Sequence, residues 1–376
     1  MSSIPSKAKE LRSLVSEKGV LTLSVQEFPI PEPKDHEIVV RIEASPINPS
    51  DVGMVIGFPS LGNADIFGTT SQPTTPIQIP DKLLPAYSGR FNKSMSAGNE
   101  GAGVVVAAGK EAQHMIGRVV ALFGMSSYAQ YRVVPANAVV LMNEGTTPLA
   151  AAASCVNPFT VLCMIETLKM EGHTAMINTA AASNLGQMLI KACKDDGIPL
   201  VNVVRREEQV ALLKSIGAEY VVNSSSSDFK KELVAAIAET GATLGFECIG
   251  GGAMANHLLE AMERALLQKA TTFSRYGSTT HKQVYIYGGL SQQPTTLNRS
   301  YGMAWGVGGW LVTPIIQKVG GAGFQKMKQR IADEIHTTFK STFYKELSLE
   351  EAMLPDNICA YAKAASGEKY YINPML

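Results

Sequence analysis

The chain has no cysteine pattern that would tie it together. Cys155, Cys163, Cys193, Cys248 and Cys359 are odd in number and show no Cys-x-x-Cys spacing. This argues against a disulfide framework and against a structural zinc knot, and leaves core thiols in a reducing compartment. An excess of one charge is also missing. The 33 Lys and Arg cancel the 33 Asp and Glu and are scattered along the chain, which speaks against nucleic acid or an anionic membrane as a partner. A small ligand, neutral or carrying its own charge, fits better. No run of about 18 uninterrupted apolar residues occurs, and the opening "MSSIPSKAKELRSLVSEKG" lacks an apolar core. No membrane partner is expected, and the cytoplasm is the default location. Ser, Lys and Arg near the N-terminus are transit-like, but Glu10 and Glu17 weigh against that reading.

What is present points to two domains. The 376 residues are 45% hydrophobic, too many for one average domain. Between Ser24 and Val140, short runs such as "EIVVRIEA", "GAGVVVAAG", "RVVALFG" and "YAQYRVV" are separated by Pro and Gly, the pattern of an all-β domain. After Ala150 the period changes. A helix-like "FTVLCMIETLKM" is followed by apolar runs alternating with amphipathic segments: "IPLVNVV", "REEQVALLKSIG", "AEYVVN", "DFKKELVAAIAETG", "LGFECIG" and "QVYIYGGL". Such alternation predicts an α/β, doubly wound parallel sheet. From about His336 the chain ends in "EKYYINP", a strand-like tail that could rejoin the first domain.

Residues 178–187, "NTAAASNLGQ", lie between a strand and a helix, where a dinucleotide's phosphates would rest on helix N–H groups. The segment holds one glycine where such turns usually have three. Ser183 and Asn184 can shape the turn, with Gln187 three residues after Asn184 in a variant capping box, while Gly186 keeps helix and strand close. Ala182 and Leu185 complete the candidate phosphate loop. About 20 residues on, "NVVRREEQ" places Arg205 and Arg206 where an acidic residue would select NAD and an arginine NADP. The expected cofactor is therefore NADP(H). The other reading of the two arginines is a solvated helix start.

These segments, in the order "INPSD", "GNEGAG", "VNPFTVL", "INTAAASNLGQ", "NVVRREE", "LKSIGAEYVVN", "FECIGGG", "IYGGL", resemble the medium-chain dehydrogenase/reductase superfamily. Within it, the chain is similar to the zinc-independent branch of quinone oxidoreductases and 2-enoyl thioester reductases. The resemblance implies a GroES-like β-barrel catalytic domain over residues 1–152, an NADP-binding Rossmann domain over 153–336, and a segment 337–376 returning to the first. It also implies a homodimer, with "GWLVTPII" supplying an apolar sheet edge that would be costly in water. Zinc members carry Cys where this chain has Asn48 and His where it has Asn99, and amides are poor zinc ligands. No metal is expected. Without a Lewis acid, an activated C=C or a quinone is the better acceptor, because its conjugated carbonyl spreads the charge left by hydride.

The resembling enoyl reductases have a tyrosine soon after Asn-Pro-Ser-Asp; here Phe58 and Pro59 follow, and neither can donate a proton. Tyr87 and Tyr128 are the substitutes, each with packing as its alternative role. Asn48 has two readings as well, a contact near nicotinamide or substrate carbonyl and a turn cap before Pro49. Gly250, Gly251, Gly288 and Gly289 follow two strands at the sheet's carboxyl edge, where backbone can approach the nicotinamide; their other reading is ordinary strand-end turns. Residues 59–97, rich in Pro, Thr and Ser, have two readings, a lid anchored by Phe67, Tyr87 and Phe91 and a surface excursion or dimer contact. The expected activity is NADPH-dependent reduction of a quinone or α,β-unsaturated carbonyl. Enoyl thioester reduction, or NADPH binding without turnover, are the alternatives.

Overall fold

Leu11, Ser13 and Val15 are buried and alternate with part-exposed Arg12 and Leu14, so Lys7–Val15 presents one face to a core. It pairs antiparallel with Val20–Pro29 and sets Val15 against Leu21, both fully buried. The structure, a computed structural model, describes residues 4–55, 74–124, 126–291, 293–363 and 367–376. Its contacts divide it into two compact units, Met1–Val156 with Lys328–Leu376, and Asn157–Met327.

Among the described residues the first unit holds two sheets. One is four-stranded, in the order Thr74–Gln78, Val20–Pro29, Lys7–Val15, Met95–Ser96. The other is seven-stranded and centres on Glu37–Pro46, which pairs with Glu100–Ala108, Tyr131–Pro135 and Tyr370–Ile372. The C-terminal strand thus returns to the sheet of residues 37–46, with Tyr371 opposite Pro46. The β pattern begins at Lys7, earlier than the sequence reading placed it. The charges that disguise this strand are paired in the fold: buried Glu10 accepts from Arg12 and, at 2.5 Å, from Arg132.

The expectation of an aperiodic lid over 59–97 is corrected from Thr74 onward. Thr74–Gln78 is a strand on Val20–Pro29, and Asp81–Arg90 is a 3-10 helix whose Leu83, Leu84 and Tyr87 pack into the first unit's apolar core. Proline-rich sequence concealed this because the pattern that sets an edge strand is supplied by its partner. Phe67, Pro59 and Pro73 lie outside the described residues.

The second unit is a Rossmann-type sheet of six strands, ordered Tyr220–Asn223, Leu200–Val204, Met176–Thr179, Leu244–Glu247, Lys282–Ile286, Trp305–Gly309, with every ladder parallel. The strand order reverses between Met176–Thr179 and Leu244–Glu247, the switch point at whose carboxyl side doubly wound folds take their ligands. Each crossover helix turns its apolar stripe to the sheet. Asn184–Asp195 buries Met188, Leu189, Ile190, Ala192 and Cys193, and Phe229–Thr240 ends at Gly241 with φ 73°, the left-handed residue that closes a helix. The sequence reading did not single out the helix Met254–Gln268, which lies against Lys282–Ile286. The apolar helical run 148–170 is long enough in composition to span a membrane, but 72% of its most apolar window is buried in the fold. The five cysteines are free thiols, four of them buried.

Candidate functional site

At the switch point of the second unit, Met176–Thr179 gives way to Ala180, whose φ of 46° is left-handed. An alanine here does what a glycine would do more cheaply, at a strain of about 1–2 kcal/mol. Ser183 then caps the helix Asn184–Asp195, its Oγ accepting from Gly186 N at 3.1 Å. The cap therefore sits one residue before the Asn184 that the sequence suggested, and Gln187 reaches back to donate to Ala182 O at 3.0 Å. Gly186 is required by contact: a Cβ there would stand 2.2 Å from Ala181 O. The loop thus has one obligatory glycine, and its two other special positions are met by Ala180 and Ser183.

The next strand, Leu200–Val204, ends immediately before Arg205 and Arg206. Gln209 Oε1 accepts from both of their backbone N–H groups at 3.1 Å, which fixes the turn into the helix Glu207–Ser215. Both side chains are exposed, and among the described residues neither guanidinium has a hydrogen-bond or ion-pair partner. Two unpaired cations beside the strand end suit a phosphate.

The glycine pairs lie at neighbouring strand ends. Three of the four have a reason internal to the fold, since an added Cβ would meet Gly288 O at Gly250 (2.5 Å), Gln293 O at Gly251 (2.3 Å) and Cys248 O at Gly288 (2.3 Å). Gly289 alone faces open space. The sequence reading missed Glu247 beside them. It is buried, and its carboxylate accepts from Ile249 N at 2.7 Å and Gly250 N at 2.8 Å, which holds the glycine turn in shape. Burial pushes its pKa up, against those hydrogen bonds.

The first unit gathers a second polar cluster. Asn48 precedes the short helix Pro49–Val55 in the N-cap position, with Pro49 at N1. Asp51 closes half of a capping box by accepting from Asn48 N at 3.0 Å and also accepts from Asn99 N at 2.8 Å. The Asn48 amide is not spent on capping: Nδ2 donates to Glu100 Oε1 at 2.9 Å, and Oδ1 accepts from Lys369 Nζ at 3.0 Å. Glu100, fully buried, takes two more donors, Cys155 N at 2.9 Å and Val156 N at 2.7 Å. Burial raises the Asp51 carboxyl to about 7, so it is largely neutral below that pH, and burial holds the Lys369 ammonium below the usual lysine range despite Glu100 and Asp51. Tyr128 donates to Pro46 O at 3.1 Å, and Tyr87 lies in the apolar core, 6% exposed. Of the two roles open to each tyrosine, burial supports packing. Neither Glu100 nor Lys369 had been singled out. The motif "GNEG" held the first in plain view, whereas the second lies 321 positions from its partner.

Comparison with known proteins agrees with this architecture. A family profile described as zinc-binding dehydrogenase matches residues 185–288. The mitochondrial enoyl-[acyl-carrier-protein] reductase of Xenopus tropicalis is 29% identical over 301 residues, 76% of this chain and 72% of that protein. The matches to two further reductases of the same name span only 62% and 57% of those proteins. Among solved structures, a putative NADPH:quinone reductase from Mesorhizobium loti superposes with a TM-score of 0.70 at 23% identity, covering 99% of this chain and 100% of the other. A complex of Etr1p with NADP and crotonyl-CoA gives 0.69 at 20% identity, covering 98% and 99%. The fold is that of the medium-chain dehydrogenase/reductases, as the motifs implied.

The zinc in that family description does not fit this chain. At the two positions where zinc members of the resembling superfamily carry ligands this chain has amides, Asn99 donates its Nδ2 to Ser50 Oγ at 3.1 Å, and an ammonium sits 3.0 Å from the Asn48 oxygen. A dication beside a lysine would be repelled, and amide oxygen competes poorly with thiolate and imidazole for zinc.

Proposed function

We propose that this oxidoreductase of the medium-chain dehydrogenase/reductase superfamily is a zinc-independent, NADPH-dependent reductase of quinones or α,β-unsaturated carbonyls. The observation that carries the reading is the pair of exposed guanidinium groups at the end of the second Rossmann strand, neither with a side-chain partner among the described residues. Arg205 and Arg206 would hold the 2′-phosphate, and the amino end of the helix Asn184–Asp195, shaped by Ala182, Ser183, Asn184, Leu185 and Gly186, would hold the pyrophosphate. Gly250, Gly251, Gly288 and Gly289 would bring backbone to the nicotinamide, with Glu247 fixing the turn. Bound NADPH would supply hydride. An acceptor whose carbonyl is conjugated delocalises the resulting charge without a metal, and solvent can protonate a stabilised quinol anion.

Enoyl thioester reduction is the second reading, favoured by the names of the Xenopus relative and the crotonyl-CoA complex. The free, mostly buried thiols support a reducing compartment. The cytoplasm satisfies that, as does the mitochondrial interior suggested by the Xenopus relative's name. To test the function, NADPH and NADH are titrated by nicotinamide fluorescence, followed by turnover on quinones, enones and an enoyl thioester. NADPH oxidation by a quinone or simple enone is the expected result. Thioester turnover alone selects the second reading, and binding without turnover on any acceptor leaves a binding protein of this fold.

We also infer a homodimer. Trp305–Gly309 is the edge of its sheet and leaves backbone groups open to pairing, with Leu311 65% exposed just beyond it. Light scattering at micromolar concentration should give twice the 40.2 kDa chain mass, and a monomer there refutes the inference.

A further inference from the structure

We propose that the loop from Lys269 to His281 docks this protein on the anionic surface of a lipid bilayer, with Phe273 and Tyr276 entering the headgroup layer and Lys269 and Arg275 facing the lipid phosphates. The inference is independent of the reductase reading. The loop precedes the strand Lys282–Ile286 and so lies at the amino edge of the Rossmann sheet, whereas the cofactor is assigned to the carboxyl edge.

The loop is long for its place. The thirteen residues 269–281 join the helix Met254–Gln268 to that strand, where connections of this kind usually take about 2–6. It is nonetheless held at its base. Buried Glu263 accepts from Ser278 N at 2.8 Å and pairs with the fully buried Lys282 Nζ at 2.7 Å, and that ammonium also donates to Thr280 O at 3.1 Å. Gly277, with φ 80°, lies against Gly302: a Cβ added to Gly277 would stand 2.7 Å from Gly302 Cα. The loop and Met303 therefore belong to one surface. What this fixed base displays is apolar, with Phe273 94% exposed, Met303 79% and Tyr276 58%. Apolar surface gathered in this way marks a contact.

Charge selects the occupant. The chain's zero net charge hides a local excess, because Arg264 to Met327 contains seven Lys and Arg and no Asp or Glu. Lys269, Arg275 and Arg299 are exposed, and among the described residues none has a carboxylate within ion-pair distance. The neighbouring carboxylates are engaged elsewhere: Glu263 with Lys282, and Glu260 with Asn298 Nδ2 at 3.2 Å and Ser300 Oγ at 3.1 Å. A second copy is a poor match, since a twofold contact would set this cationic surface against itself. An anionic bilayer is a good one. Its phosphates attract the cations, and its soft interfacial layer takes an exposed aromatic side chain without a preformed socket. The Arg275 guanidinium lies over the Tyr276 ring, 4.6 Å from its centroid, which keeps cation and aromatic on the same side of the loop. The expectation of no membrane partner rested on the summed charge, which averages this segment with the rest of the chain.

The test is cosedimentation of the whole protein with vesicles of phosphatidylcholine alone and of phosphatidylcholine with about a third phosphatidylserine. The wild type should pellet with the anionic vesicles only, and raising the ionic strength should release it as the Debye length shortens. Lys269→Gln with Arg275→Gln should weaken binding about thirtyfold, and Phe273→Ser about tenfold. All three side chains are exposed, so the thermal midpoints of these variants should match that of the wild type. In Phe273→Trp the new indole should shift its emission to the blue on anionic vesicles, which a contact elsewhere on the surface would not produce. No binding to anionic vesicles at low ionic strength overturns the proposal. So does equal binding to the neutral vesicles, or anionic binding that neither variant weakens. If the vesicles capture nothing while Phe273→Ser halves the mass in light scattering, the loop is a contact between copies and the lipid assignment is wrong.

Discussion

Replacing Glu100 by alanine is expected to lower the unfolding free energy by about 3–5 kcal/mol. The carboxylate is fully buried and satisfies three donors at once, Asn48 Nδ2, Cys155 N and Val156 N, at 2.7–2.9 Å. Alanine leaves all three without an acceptor. An unsatisfied buried donor costs about 1–3 kcal/mol, and water entering the vacated space offsets part of the sum. Glu100→Gln should fall between the two, because it keeps one acceptor oxygen but turns an NH₂ toward donors. Urea denaturation measures the difference as a shift in midpoint at constant slope. Lys231→Ala, at an exposed position of the helix Phe229–Thr240, is the control and should change stability by no more than about 0.5 kcal/mol. A Glu100→Ala loss as small as the control's would mean that the cluster is solvated rather than buried. The hydrogen bonds that join Glu100, Asn48 and Lys369 would then be exposed to water.

The difference between what could and could not be read in advance follows from the range of the interactions. The second unit was legible because its signals are local. A parallel strand buried on both faces is a short apolar run, as in Leu200–Val204, where all five residues are buried. The switch from strand to helix is marked within four residues, by Ser183 and Gly186 at one turn and by Arg205, Arg206 and Gln209 at the next. Even so, the cap was read one residue late, because Ser183 and Asn184 have similar capping chemistry and only the backbone decides between them.

The first unit was less legible for the opposite reason. Lys7–Val15 carries Lys7, Lys9, Glu10 and Arg12, a helix-like mixture, and it is a strand because Val20–Pro29 lies beside it and Arg132 reaches Glu10 from 122 positions away. The site shows the same limit. The motifs pointed to Asn48 as a residue near the chemistry, but its amide is held by Glu100 from 52 positions away and holds Lys369 from 321 positions away. No spacing rule spans such distances. Only the return of the C-terminal strand to Glu37–Pro46 places that lysine.

The double substitution Arg205→Ala with Arg206→Ala is expected to weaken NADPH binding by about 2–4 kcal/mol, roughly 30- to 1000-fold, while leaving NADH within about threefold. The two cofactors differ by the 2′-phosphate, so the loss should fall on NADPH alone if the guanidinium groups bind that phosphate. Their setting favours the role. Both are exposed, neither has a partner among the described residues, and the turn that carries them is fixed by Gln209 through two backbone bonds at 3.1 Å. The alanines remove charge without removing that turn, so a change in affinity would not reflect a displaced loop. Each single variant should lose about half of the double variant's free energy if the arginines act independently. A smaller sum of singles would mean that either one suffices to hold the phosphate. Fluorescence titration of both cofactors against all four proteins decides the matter. Equal affinity of the unsubstituted protein for NADPH and NADH would refute the assignment of these arginines and, with it, the cofactor on which the proposed reduction depends.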